Sequence, residues 1–421
     1  MALQAAVGSF IVPSSLGADL VVSGPGFQPA IVFFLPTNRL GDGGAASNFA
    51  DGSFGVATSS TSMYCIANIS DDGVATSVTR RFHSSGLCSA VISTSSVSYS
   101  LDFLSMDATG FTVNVANTGV NQLVGYLALN DTAGVNVKTG SFLTATSTGN
   151  QNITGIGFKP DTIVLFSVNS TDSPSTTALR NHASFTLGFG SPTQRGVMAY
   201  VDEDDQGTTD SSRYQSKSSI YAALNLQSGT LEHEADITSL DNDGFTLNWS
   251  TNNGSAYYAF YAAMGGGLKI NVGSLLSQTG AGNFSVTGAG FEPQAGMFLS
   301  FGSVANVSPI PTVELSLGVA VSSSQRFAHG GNSKDNVGTS ATTNMGRDIR
   351  LYANYLEGTA ILEGDIDFVS WDSSGFTLNQ TDADIDNIEI LYMVLGSITP
   401  PPPATTTVVS IMQPMGYWGP I

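Results

Sequence analysis

Three aspartates, Asp107, Asp241 and Asp372, stand in one context, Ser-x-Asp-x-x-Gly-Phe-Thr-(Val/Leu)-Asn, and a carboxylate repeated in this way could serve as an acid, a base or a ligand. A short carboxylate just before a Gly is also what an Asx turn needs, and the three are read as turn caps. Two acidic runs could chelate a hard cation: Asp202-Glu-Asp-Asp205, and the alternating Asp382, Asp384 and Asp386. The second run has Asn387 and Met393 where an EF-hand loop needs Gly and Glu, so an acidic, solvated loop is the favoured reading and Asp382, Asp384 and Asp386 stay as weak metal candidates. The histidines His83, His182, His233 and His329 share no common context and read as scattered surface residues. No Gly-x-Ser-x-Gly elbow, phosphate-binding loop or His-Glu-x-x-His occurs, so neither an enzyme nor a cofactor is expected.

The elements that must position these residues recur. Gly-x-Gly-Phe-x-Pro appears at residues 24–29, 155–160 and 288–293, spaced by 131 and 133. The Ser-x-Asp signature is spaced by 134 and 131, and a Gly-Ser-(Phe/Leu) opening at Gly8, Gly140 and Gly273 by 132 and 133. Three landmarks keeping step define an internal repeat of ~132 residues, long enough for each copy to own a core. The expected domains are residues 1–133, 134–266 and 267–398, followed by residues 399–421. Gly-x-Gly-Phe-x-Pro lacks the third Gly of a dinucleotide fingerprint and precedes a strand, so its glycines are structural, supplying positive φ before the turn.

Each copy reads as short strands. Residues 30–35, 162–168 and 295–301 are mostly β-branched or aromatic after a turn-setting Pro. Residues 111–115, 245–249 and 376–380 alternate apolar and polar, as a half-buried strand does. Residues 124–129, 257–264 and 388–395 are apolar throughout and read as central strands covered on both faces. The fold class is therefore all-β: three tandem β-sandwich domains of jelly-roll or lectin-like character, each of eight to ten strands, joined by short linkers into a semi-rigid row, plus an extended tail. Stretches that differ between copies, residues 201–212 and 322–346, are expected to be surface loops.

Composition narrows the partners. Fourteen basic against 33 acidic residues give a net charge of −19 with no basic run, which disfavours nucleic acid. No segment approaches the ~20 apolar residues that span a bilayer, and no secretory signal is read at the N-terminus, so synthesis in the cytosol without membrane insertion is expected. Cys65 and Cys88, both in the first copy, read as buried thiols, with a bridge between them as the alternative. Residues 399–421 belong to no repeat: four prolines form a polyproline II spacer, and Met412, Met415, Tyr417, Trp418 and Ile421 read as partner-docking anchors.

The combination of Gly-Phe-x-Pro-(Asp)-x-(Ile/Val)-Val with the later Asp-x-x-Gly-Phe-Thr-(Val/Leu)-Asn and an apolar strand such as residues 124–129 resembles virion proteins of tailed bacteriophages, tail-associated and particle-surface proteins in particular. The likeness spans all three copies, although the Asp after Pro is kept only at Asp161, with Ala30 and Gln294 in its place elsewhere. It implies a virion location, other virion subunits as partners, and a structural role as fibre, spike or decoration. By analogy with such parts a homo-oligomer, a trimer in the first instance, is expected. The alternative is a carbohydrate-binding adhesin that recognises host-surface glycan through its variable loops, where Tyr200, Tyr214 and Trp371 are possible contacts. A polysaccharide-cleaving enzyme ranks last, because no paired carboxylates recur.

Overall fold

The computed structural model describes residues 3–41, 43–46, 49–117, 122–131, 135–302 and 308–397. Among them every regular element is a strand, eleven in each third of the chain, and none is a helix long and apolar enough to cross a membrane. Met412, Met415, Tyr417, Trp418 and Ile421 lie outside the described residues.

Six antiparallel sheets make three two-layered sandwiches. The inner sheet of the first unit runs Leu3–Ile11, Leu123–Asp131, Ile31–Pro36, Phe49–Ser59, Ser62–Asp71 and Thr79–Ser84 in spatial order, and its outer sheet runs Asp19–Val22, Gly110–Asn117, Val97–Asp107 and Ser89–Ile92. The same order recurs in the second and third units. Each inner sheet then gains a seventh strand from the next unit. Arg180–Asn181 pairs with Thr79–Ser84, Ile310–Pro311 with Ser211–Ser216, and Gly43–Ala46 with Thr342–Arg347. The third exchange returns to the first unit, so the units close into a ring rather than the expected row.

The ring has one shared core, and it explains the uniformly apolar strands. In Ile31–Pro36, Ile31, Phe33 and Leu35 face a core built from all three units, while Val32 and Phe34 face the first unit's own sandwich core with Tyr99 and Phe111. Val164 and Phe166 against Ile163 and Leu165 repeat this in the second unit, and Met297 and Leu299 against Phe298 in the third. Period-two alternation between two apolar cores reads as an unbroken hydrophobic run. Phe54 meets Phe166 at 5.2 Å and Phe166 meets Phe260 at 5.5 Å, tying the first two units through aromatic contacts.

Loops following the fifth inner strand interlock at the joins. Ser77 N–H donates to Gln206 O and Asp205 N–H to Ser77 O, both at 2.8 Å. Thr209 exchanges the same pair with Val337 and Asn336, and Ser340 with Gly73 and Val74. Gly73, Asp205 and Asn336 all carry positive φ (69°, 62° and 54°), a conformation that Gly, Asn and Asp tolerate best. Residues 201–212 and 322–346, expected as surface loops, thus contribute to the joins. Cys65 and Cys88 are free and buried.

Ionisable groups are trapped in this packing. Burial raises the carboxyls of Asp51 to about 7, Asp202 to about 6 and, against the opposing Arg213 guanidinium 3.3 Å away, Glu314 to about 8. His83, His233 and His329 are fully buried, contrary to the surface reading, and burial lowers His83 to about 3 and His329 to about 4. Above an ordinary ~4 the fold holds protons on these acids that the unfolded chain has lost, so their contribution falls with rising pH up to about 8. Below ~6.5 the unfolded chain protonates histidines that the fold keeps neutral, so that contribution falls with falling pH. The two oppose each other between ~4 and ~6.5, and only the acids act above that. Denaturant midpoints are expected to change little from pH 5 to 6.5 and then drop by the equivalent of about 2 kcal/mol by pH 8.5. Asp51→Asn should remove the part of that drop below pH 7; an unchanged curve would exclude Asp51 as a contributor.

Candidate functional site

The sequence-derived candidates separate in space. Asp382 ends the strand Gly375–Asp382 and is exposed, whereas Asp384 is fully buried, with Oδ1 accepting the Asp386 N–H at 3.1 Å. Burial raises the Asp384 carboxyl, opposed by that N–H. Its role is to close the turn that Asn387 completes at φ 53°. Among the described residues no three His, Cys, Asp or Glu are arranged to hold a metal. In the other acidic run, Asp202 accepts the Ser333 hydroxyl at 2.6 Å, and Asp204 pairs with Arg80 at 2.6 Å and accepts the Thr79 N–H at 2.9 Å. Both reach across joins between units.

The repeated aspartates staple hairpins, but through side chains rather than through the backbone alone. Asp107 accepts hydroxyls from Ser105 (2.7 Å) and Thr112 (2.6 Å), and those bonds lower its carboxyl. Asp372 does the same with Ser370 and Thr377, and Asp241 with Thr246. Ser and Thr in the signature are therefore the Asp's partners.

The seam between the third and first units is different from the other two. At the second join the backbone runs on from Gly265 into Lys269–Leu276, and Asp161 Oδ2 accepts Gly267 and Leu268 N–H at 2.7 and 2.8 Å while Leu268 packs on the shared core. Val135 fills the corresponding place at the first join, 6% exposed. At the third seam Gln294 stands where Asp161 does, and its Oε1 accepts the N–H (3.0 Å) and hydroxyl (2.7 Å) of Ser397. Its Nε2 donates to Leu3 O at 3.3 Å, and Leu3 N–H donates to Ser397 Oγ. No continuous backbone crosses here, and a cleft of about 250 Å³ opens between Leu3, Ala5, Glu292, Pro293, Gln294, Val321 and Trp371.

Local sequence builds that cleft. Pro293 and the Gly-x-Gly-Phe loop bring Glu292 and Gln294 to one wall. Trp371, one residue before the hairpin Asp372, forms part of the other, where Met106 and Leu240 stand in the sister units. Its ring packs 4.5 Å from Phe368, and its Nε1–H donates to Val321 O at 2.7 Å, which fixes the indole half-buried. Chemically the site offers an aromatic face, aliphatic walls and an exposed carboxylate. Tyr200 and Tyr214, the other aromatics considered for glycan contact, are buried at 4% each. The cleft itself was not legible, although Gln294 in place of Asp161 was its one sequence signal. No family model, curated protein or solved structure matches the chain.

Proposed function

We propose that the chain is a structural subunit of the surface or tail of a bacteriophage particle, assembling through its β-units and through residues 399–421. The observation that carries this reading is the closed strand exchange. One polypeptide acquires the threefold arrangement that fibres and spikes build from three chains, with one core shared by all units and every inner sheet completed by its neighbour. Such a body resists local opening, because separating any unit exposes core side chains and unpaired strand edges. That property suits a part that bears load. A trimer of chains is then not needed for threefold geometry, and association between copies would use other surfaces.

Sedimentation of lysate from the source on a density gradient, with this chain quantified across fractions against a capsid protein, is expected to show co-sedimentation at fixed stoichiometry. Recovery only in soluble or envelope fractions would sink the reading. The second reading, a glycan-binding adhesin, is favoured by the half-buried Trp371 beside Glu292 and Gln294, since sugars stack on such faces. It predicts glycan-array binding that is lost in Trp371→Ala.

A further inference from the structure

The cleft at the seam between the third and first units has no role in the packing described so far. The cleft is somewhat smaller than the ~300 Å³ at which sites for drug-sized ligands begin, which suits one large side chain and its neighbours. At the other two joins the chain runs on through Val135 and Leu268, which pack on the shared core. Ser397, bonded to Gln294 on the cleft wall, is followed by 24 residues without a single Asp, Glu, Lys or Arg, ending Met-Gly-Tyr-Trp-Gly-Pro-Ile. In a chain of net charge −19, two bodies repel, and this uncharged segment is the part best able to approach another acidic surface. Four consecutive prolines begin three residues after Ser397, a sequence that favours an extended spacer ahead of the apolar anchors.

We propose that the cleft between Leu3, Gln294 and Trp371 receives the Tyr417–Trp418 end of a second copy of this chain. The contact is heterologous, tail of one copy into the seam of the next, so it propagates head to tail and closes only if the geometry returns on itself. Trp418 is the anchor and Trp371 its aromatic counter-face, with Leu3, Ala5 and Val321 supplying aliphatic walls. The inference rests on the assembly reading for the role of the tail, but not for the identity of the socket.

Sedimentation velocity of the full chain over a concentration series tests it. Concentration-dependent association is expected, weakened at least tenfold by Trp418→Ala and, independently, by Ala5→Phe, which crowds the socket from a half-buried position on the strand Leu3–Ile11. Trp418→Ala should keep the parent's thermal midpoint, Trp371→Ala should weaken association by the same factor, and a synthetic peptide of residues 408–421 should dissociate the parent assembly. Association untouched by Ala5→Phe overturns the socket. A monomer at every concentration whose tail tryptophan is shielded from quencher, unless Ala5→Phe is introduced, overturns the second copy in favour of docking within one chain. Displacement of the peptide by a glycan would assign the cleft to sugar instead. If particles from the source still contain the chain while Trp418→Ala associates like the parent, the socket falls and the virion reading stands.

Discussion

Gly110→Ala, Gly244→Ala and Gly375→Ala are each expected to cost about 3 kcal/mol or more, enough to reduce folded protein sharply. A Cβ at these positions would lie 1.8 to 1.9 Å from the carbonyl oxygens of Val22, Ile153 and Val286, the backbone of the neighbouring outer strand. Backbone cannot swing aside as a side chain can, so the hairpin or the strand pairing must distort. Gly26→Ala is the control. It sits in the Gly-x-Gly-Phe loop at φ +75° with nothing within 4 Å of the new Cβ, so only the left-handed strain applies, about 1 kcal/mol. Urea midpoints at constant m-value measure both. Equal losses at Gly26 and Gly110 would refute the steric account.

The two signatures that kept step in the sequence touch in space, which is why they were legible together. Gly26 N–H donates to Thr109 O at 2.9 Å, Gly157 N–H to Asp243 Oδ1 at 2.5 Å, and Gly290 N–H to Ser374 Oγ at 3.1 Å, each pairing a Gly-x-Gly-Phe loop with the middle of an Asp-x-x-Gly hairpin. Local rules of this kind, with turn glycines, hydroxyl-bonded aspartates and strand alternation, act over a few residues and leave marks on composition. The all-β class was readable from them. The ring was not, because it depends on strands of two to four residues, Arg180–Asn181, Ile310–Pro311 and Gly43–Ala46, whose sequences share nothing. A main-chain pairing imposes little on side-chain identity. The buried histidines were misread for a related reason: His83 lies within 6.0 Å of the rings of Tyr258 and Phe260, which belong to a different unit far along the chain.

Because the shared core draws on all three units, the chain should unfold in one cooperative transition, and the second unit excised as residues 134–266 should fail to give a folded monomer. Excision would expose Val164, Phe166, Phe185, Met198 and Phe260 to water, a contiguous apolar face that monomers do not tolerate. It would also deprive the strand Ser211–Ser216 of its partner Ile310–Pro311 and leave Arg180–Asn181 with nothing to pair with. Phe166→Ala in the full chain probes the same coupling from within. Its ring contacts Phe54 of the first unit and Phe260 of its own, and its loss should lower stability by about 4 kcal/mol while the transition stays single. Calorimetry gives the criterion: equal calorimetric and van't Hoff enthalpies for the parent, and a lower but still unitary midpoint for the variant. Three resolved transitions, with only one displaced by Phe166→Ala, would mean that the units are energetically independent despite their shared core, and residues 134–266 would then be expected to fold alone.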